Sequence, residues 1–386
     1  MTTSPIFRLP PYTVEALFTT LSETLDWGIS SYGIPDLWKQ SRGSGIRVAV
    51  LDTGIDEHHP DLAAAIENAR DFTGSRFGPI DRQGHGTHVS GTIAARQNDT
   101  GVIGVAPDCR LLVGKVLGDD GSGSEQSVAA GIDWAIEQKA DVISMSLGSP
   151  VEGRAISAAL KRAVGAGVFP IVAAGNDGRR GNNTVDWPGK LPYVVAVAAV
   201  NRNGQVADFS SRGPEVDIAA PGQDVLSCYL DGQYAKLSGT SMATPFVSGV
   251  VALVLAKFKG KPLCPHDETE LLAMLKRTAK DAGPVGYDPA FGWGLIDPAT
   301  MLGPVEPPPV VVPVPVPLPP VVPGPPTKPP DFGDSVTLGP VFVNGVRGTF
   351  VFKPDSPKIG SLTVVGEPQS IQSVEREFDC FGRRVA

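Results

Sequence analysis

IRVAVLD, at residues 46–52, is the stretch of sequence that decides the fold. Its apolar and β-branched residues run almost without alternation, which is typical of a parallel strand that is covered on both faces. Similar runs recur further along the chain, so the sequence predicts several buried strands of one sheet. These runs are Leu111–Val116, Val142–Ser146, Val168–Ala173 and Tyr193–Val200.

Helical patterns separate these runs, for example at Ser127–Gln138 and Ala155–Ala166. Short apolar strands that alternate with helices predict an α/β fold, with a doubly wound, mostly parallel sheet flanked by helices. The carboxyl ends of the strands then lie along one edge of the sheet, where ligands and catalytic groups gather. Polar residues that directly follow the strands are thus the candidates for a functional site.

Three such residues have the chemistry of acyl transfer. Asp52 ends the first strand, His85 stands at a helix start in GHGTHVSG, and Ser241 heads an apolar helix in GTSMATP. A serine nucleophile needs a base to take its proton and a carboxylate to orient that base. Each residue alone has a structural explanation as a turn or cap residue. In this order along one α/β pattern, they predict a catalytic triad.

A second requirement of acyl transfer is a site for the oxyanion. The helix start at Ser241 provides free N–H groups and a partial positive charge. Asn176, which follows a buried strand in the string AAGN, can donate a further hydrogen bond. Its structural alternative is a left-handed turn residue.

The strings DTGID, HGTHVSGT, SMSLG, AAGN and GTSMATP resemble the subtilisin family, from about Trp27 to Asp297. The resemblance implies a serine endopeptidase with Asp52, His85 and Ser241 as its triad and Asn176 in its oxyanion hole. It also implies that a peptide substrate binds as a strand between two segments of the enzyme. Those segments are Gly121, Ser122 and Gly123, which otherwise form a plain flexible loop, and Ser146, Leu147 and Gly148. His88 is expected to be structural.

The same resemblance implies structural calcium, held by hard oxygen ligands clustered in a turn. The ligands of the main site are the side chains of Asp61 and Asn98 and the carbonyls of Arg96, Thr100 and Val102, completed by Glu23. Glu215 and Asp217 match a weaker cation site, where solvated surface carboxylates are an equally good interpretation.

A carboxylate also stands in TVDWPGK, residues 184–190, which is similar to the family segment that forms the floor of the S1 pocket. Asp186 at this floor would receive a lysine or arginine side chain of the substrate. The alternative is that the preceding loop shifts Asp186 outward into solvent.

Residues 1–20 are predicted to be an irregular leader ahead of a peptidase domain at residues 21–303. The leader contains Leu9-Pro10-Pro11-Tyr12, which resembles the Leu-Ile-Pro-Tyr stretch that intracellular subtilisins lay across their active site. This resemblance implies an inhibitory leader, and the alternative is an ordinary disordered terminus.

Beyond the peptidase domain, about half of residues 304–330 are proline. This composition predicts a polyproline II spacer, although a ligand for a proline-binding groove has the same composition. Residues 331–386 alternate apolar and polar residues around turn signals at 344–345 and 354–356, which predicts a small β-rich module. Its partner, if it binds one, is unknown.

Composition restricts the remaining possibilities. A net charge of −8 leaves no basic stripe for nucleic acid, and no apolar stretch is long enough to predict a membrane span. The chain opens without a secretion signal, which favours a cytoplasmic protein, with secretion by another route left open. Four separated cysteines indicate free thiols. A non-catalytic binding protein on a protease fold remains the competing class, and the presence of all triad residues argues against it.

Overall fold

The structure is a computed structural model that describes residues 5–19, 22–261 and 263–303, and three strands within residues 336–363. It divides into two units, Met1–Pro308 and Pro309–Ala386. The strands of the first unit are β1 Ile6–Arg8, β2 Thr13–Phe18, β3 Arg47–Asp52, β4 Ile66–Asp71, β5 Arg110–Lys115, β6 Ser122–Ser124, β7 Val142–Met145, β8 Phe169–Ala173, β9 Val195–Val200, β10 Ile218–Pro221, β11 Val225–Cys228 and β12 Tyr234–Ser238. Its α-helices are α1 Trp27–Ser31, α2 Ile34–Leu37, α3 His85–Ala94, α4 Glu125–Glu137, α5 Arg154–Gly165, α6 Thr240–Phe258, α7 Glu268–Thr278 and α8 Pro298–Leu302.

A seven-stranded sheet forms the centre of the first unit, in the order β10-β9-β8-β7-β3-β5-β4. Every pair of neighbours in it is parallel. The predicted α/β class with a mostly parallel sheet is therefore confirmed, and the carboxyl ends of all seven strands lie on one edge.

The two faces of this sheet are covered by different helices. Successive side chains of a strand point to opposite faces, so Val48 and Val50 pack into the core with α3 and α6. Ala49 and Leu51 point the other way, into the core with α4 and α5. Helix α6 has the length and apolarity of a membrane span, but 89% of its most apolar window is buried inside the protein, as in a core helix.

Two strands of the sheet, β4 and β10, were not predicted from the sequence. The first, β4, lies at an edge, and its sequence IENARD is only half-buried, so it carries little apolar signal. The other, β10, has only four residues and ends in a proline. Both strands are stabilised by backbone pairing with a neighbouring strand. Neither has a sequence pattern that predicts a strand by itself.

The leader differs from the prediction, because it is not irregular. The β1 strand pairs with β6, and β2 pairs with β12 as the third strand of a small antiparallel sheet, β11-β12-β2. Most β2 side chains are exposed. These strands owe their order to free strand edges of the domain, a tertiary contact that a local sequence pattern does not reveal.

The second unit contains three antiparallel strands, β13 Val336–Val343, β14 Val346–Phe352 and β15 Ser361–Thr363, in that order. The predicted linker at 304–330 lies outside the described residues. So do the two predicted turns at 344–345 and 354–356.

Candidate active site

The carboxyl edge of the sheet carries the candidate catalytic residues. Asp52 is the last residue of β3, and His85 is the first residue of α3. Nδ1 of His85 lies 2.8 Å from Oδ1 of Asp52, and both side chains are buried. Such a carboxylate holds the imidazole in the tautomer that leaves Nε2 free to take a proton.

The start of α3 is held by a carboxylate that the sequence analysis missed. Asp81 is buried and accepts hydrogen bonds from the Thr53 hydroxyl, from Thr87 and from the backbone N–H groups of Gln83 and Gly84. It thereby ties the turn after Asp52 to the helix that begins at His85. In the sequence, the position of Asp81 four residues before His85 is the signal that could have identified this supporting role.

Ser241 is the second residue of α6, at the predicted helix start. It lies next to the end of β7. Ser146 directly follows that strand, and its hydroxyl donates a hydrogen bond to the Ser241 carbonyl at 2.9 Å. Within the described residues, neither the Ser241 Oγ nor Nε2 of His85 has a hydrogen-bond partner, although both are buried. These two polar atoms thus remain available for chemistry.

Asn176 lies beside this helix start with a fixed orientation. Its Oδ1 accepts hydrogen bonds from the backbone N–H and the hydroxyl of Thr240, both at 2.9 Å. Its Nδ2 consequently points away from the helix and donates to the Pro11 carbonyl at 2.7 Å. The leader therefore presents a peptide carbonyl to the amide that is the candidate oxyanion donor.

The two candidate substrate-binding segments both pair with the leader. Arg8 exchanges two backbone hydrogen bonds with Gly148, at 3.0 and 2.9 Å, and the N–H of Leu9 donates to the Gly121 carbonyl at 3.1 Å. In β6, Ser122 and Gly123 lie opposite Arg8 and Phe7. The leader is thus an antiparallel strand between the segments on either side.

Leader side chains cover the site at both ends of this strand. Phe7 is fully buried among the residues of the core on the α4 and α5 side, with its ring against Gly153. The Tyr12 ring lies 5.0 Å from the His85 ring, and its hydroxyl accepts a hydrogen bond from Gln83 at 2.6 Å. Burial raises the pKa of Tyr12 to about 12.

Asp186 lies between Gly148, in one candidate substrate-binding segment, and Gly175, which directly precedes Asn176. Its backbone N–H donates to the Ala174 carbonyl at 2.9 Å, and its side chain occupies the space beside Gly148 and Gly175 that a Cβ atom on either glycine would need. Burial raises the pKa of Asp186 to about 6, further raised by Asp177 and lowered by Lys190 and Arg180. Among the described residues no ion pair includes it.

The candidate calcium loop is assembled around Asp61. This carboxylate is fully buried and accepts from Nδ2 of Asn98 and from the backbone N–H of Val102, both at 2.9 Å. Glu23 accepts the N–H groups of Asn98 and Asp99, at 3.0 Å each. Within the part of the chain that the structure describes, no lysine or arginine pairs with Asp61, and a buried charge of this kind needs a counter-charge.

Two further titratable groups have clear environments. Asp217 of the weaker candidate cation site is largely buried, which raises its pKa to about 7, and Oε2 of neighbouring Glu215 is buried without a hydrogen-bond partner in the described residues. His88 is fully buried, and Nε2 contacts the carbonyls of Val225 and Ala235 at 3.0 and 3.2 Å. Burial lowers the pKa of His88 to about 3, so it stays neutral.

Fold and site together define the class of subtilisin-like serine endopeptidases. A family model, Peptidase_S8 (Subtilase family), matches residues 43–294. The "Intracellular serine protease" of Paenibacillus polymyxa is 44% identical over 70% of this chain and 84% of its own length. For the "Major intracellular serine protease" of Bacillus subtilis (strain 168) these values are 41%, 70% and 87%, and for "Subtilisin E" of the same organism 45%, 61% and 62%. The chain belongs to the subtilase family.

Proposed function

We propose that this protein cleaves peptide bonds of proteins through an acyl-enzyme intermediate formed on Ser241. The observation that carries the proposal is the buried hydrogen bond between Asp52 and His85, together with a buried Ser241 hydroxyl that has no hydrogen-bond partner within the described residues. Nε2 of His85 takes the proton of the Ser241 hydroxyl as its Oγ attacks the scissile carbonyl. The same nitrogen then returns the proton to the leaving amine, while Asp52 stabilises the imidazolium.

The negative charge of the tetrahedral intermediate falls on the former carbonyl oxygen. Nδ2 of Asn176 and the N–H groups at the start of α6 are the donors proposed to receive it. The contact of Nδ2 with the Pro11 carbonyl supports this role, because it shows that this amide can donate to a peptide carbonyl at this place.

A serine-directed phosphonofluoridate tests the proposed nucleophile. We expect one equivalent of reagent to stop hydrolysis, with the adduct located on Ser241 by mass spectrometry of the digested protein. Labelling of a different serine, or loss of activity without an adduct at Ser241, would contradict the proposal.

We also propose that the leader is inhibitory. Its strand lies between the two candidate substrate-binding segments, and its Tyr12 ring packs against the His85 ring. Removing residues 1–19 is expected to raise the initial rate at low substrate concentration and to abolish any lag in progress curves. Progress curves of the two purified proteins at equal concentration are the measurement. Equal rates without a lag in either protein would assign the leader no inhibitory role.

Asp186 is proposed to select lysine or arginine on the amino-terminal side of the cleaved bond. A charge-assisted hydrogen bond contributes roughly 1.5 to 3 kcal/mol, or about 10- to 150-fold in kcat/KM. We expect peptides with lysine or arginine at this position to be preferred over leucine and phenylalanine, and Asp186→Gly to abolish the preference. A preference for leucine and phenylalanine that survives the substitution would contradict the role.

This preference should also depend on pH in a defined direction. Since the pKa of Asp186 is raised to about 6, its carboxyl group is neutral below that value and charged above it. The ratio of kcat/KM for lysine over leucine should therefore increase between pH 5 and pH 7 and be constant in Asp186→Gly. The ratio cancels any effect of pH that both substrates share.

Calcium is proposed to bind at the loop of Asp61, Asn98 and Glu23 with the carbonyls of Arg96, Thr100 and Val102. The supporting observation is that the Asp61 carboxyl group is buried and pairs with no lysine or arginine among the described residues. A ligand that binds only the folded state adds about 2.7 kcal/mol at a hundredfold excess over its Kd. Chelation should therefore lower the melting temperature, and Asp61→Asn should remove the response. A melting temperature indifferent to chelator would contradict the site.

The remaining proposals concern organisation. We propose a leader at 1–20, a peptidase domain at 21–303, a proline-rich linker at 304–330 and a β-rich module at 331–386. Two relatives are named intracellular, which supports a cytoplasmic location for this protein as well.

A further inference from the structure

The β12 strand connects the small antiparallel sheet to the candidate nucleophile. It ends at Ser238, and α6 with Ser241 begins two residues later. One edge of β12 pairs with β11, and the other edge is occupied by β2 of the leader. When the leader departs, this second edge becomes a row of unpaired backbone donors and acceptors that can accept another strand.

The leader shows what kind of chain fits this edge. With the Pro11 carbonyl at Asn176, Tyr12 is the first residue beyond the candidate cleavage position, and β2 continues from Thr13 to Phe18. Thr13 lies opposite Ser238 and Phe18 lies opposite Tyr234, with one register shift between them. The segment that follows the bond is therefore held by backbone pairing along all of β12.

One side-chain contact in this segment is selective. Glu15, the fourth residue beyond the bond, accepts a hydrogen bond from the Ser238 hydroxyl at 2.8 Å. It lines a cavity of about 460 Å³ together with Arg179 and Asp208. Because the Ser238 hydroxyl donates to a carboxylate here, it favours an acidic side chain at this position.

We propose that the outer edge of β12 is a strand-addition site for the substrate residues that follow the cleaved bond. It takes an extended segment of about seven residues and prefers an acidic residue at the fourth. The inference rests on the proposed peptidase function. Because a folded substrate seldom offers so long an extended segment, the site favours unfolded protein chains.

The test uses protein without residues 1–19 and peptides with one fixed sequence before the bond and one, two, four or seven residues after it. We expect kcat/KM to increase at each step up to seven residues. N-methylation of successive backbone nitrogens after the bond should reduce kcat/KM in an alternating pattern, since alternate N–H groups of an edge strand face its neighbour. A constant kcat/KM beyond two residues would overturn the inference.

A peptide anilide, which has no amino acid after the bond, separates this inference from the proposed function. Normal anilide turnover with no effect of length refutes the strand-addition site alone, whereas no anilide turnover refutes the peptidase function. If the shortened protein does not fold, Ala16→Pro in the full chain weakens β2 by removing one backbone donor, and the same peptides apply.

The acidic preference has its own pair of variants. Glutamate over glutamine at the fourth position should increase kcat/KM about threefold to tenfold, and Ser238→Ala should reduce this ratio, which cancels any effect of the substitution that both peptides share. Ser157→Ala is the matched control, because the Ser157 hydroxyl also donates to a glutamate, Glu152, at 3.0 Å, away from β12. A ratio of one in the unsubstituted protein would exclude the preference.

Discussion

Ser241→Ala is expected to reduce kcat by about 10⁶-fold, the loss measured for the catalytic groups of subtilisin itself. The substitution removes the nucleophile, and the remaining Asp52–His85 pair has no hydroxyl to activate. The Ser241 Oγ has no hydrogen-bond partner in the described residues, so its removal breaks no hydrogen bond there, and the melting temperature should change little. Steady-state turnover and thermal unfolding of the same preparation measure both quantities.

Ser248→Ala is the matched control for this variant. Ser248 is a buried serine further along the same helix, and its hydroxyl donates within the core to the Thr244 carbonyl. We expect it to retain turnover even if its stability decreases. Turnover retained by Ser241→Ala, after contaminating wild-type protein is removed by the phosphonofluoridate, would show that the nucleophile is another residue.

Asn176→Ala is expected to lower kcat by about 10² to 10³-fold with little change in KM, because its hydrogen bond strengthens as the oxyanion forms. The alanine variant also loses the acceptor that holds Thr240. Asn176→Asp keeps this acceptor, but it replaces the Nδ2 donor by an oxygen and adds a negative charge where the oxyanion forms. A loss in Asn176→Asp at least as large as in Asn176→Ala therefore identifies the missing donor, rather than the missing acceptor, as the cause. Asn182→Ala, in the exposed neighbouring loop, should leave kcat unchanged. An unchanged kcat in both Asn176 variants would place the oxyanion hole elsewhere.

The central sheet could be predicted because its strands are covered on both faces. Their apolar runs, such as Arg47–Asp52, carry the signal in the sequence itself. The leader strands could not be predicted in this way, since β1 and β2 are short and mostly exposed and depend on edges supplied by residues more than a hundred positions away. The edge strand β4 was missed because none of its residues is fully buried, so it carries little apolar signal.

For the candidate site, the positions of the residues in the fold could be predicted, because Asp52, His85, Ser241 and Asn176 stand in distinctive strings at strand ends and helix starts. Their catalytic roles stay predictions. Asp81 was missed because its role consists of hydrogen bonds to backbone groups on both sides of a turn. Such contacts leave no periodic pattern, and an isolated aspartate in a loop resembles an ordinary turn residue.

If the leader is inhibitory as proposed, its contacts with the candidate substrate-binding segments are non-covalent, and it competes with substrate as a tethered ligand. If it is seated 99% of the time, only about 1% of molecules can bind substrate, and the apparent affinity falls about 100-fold. The rate at saturating substrate is unaffected, because a bound substrate excludes the leader completely. Full-length protein would then respond to substrate abundance, remaining nearly silent with scarce substrate and becoming active where unfolded chains accumulate.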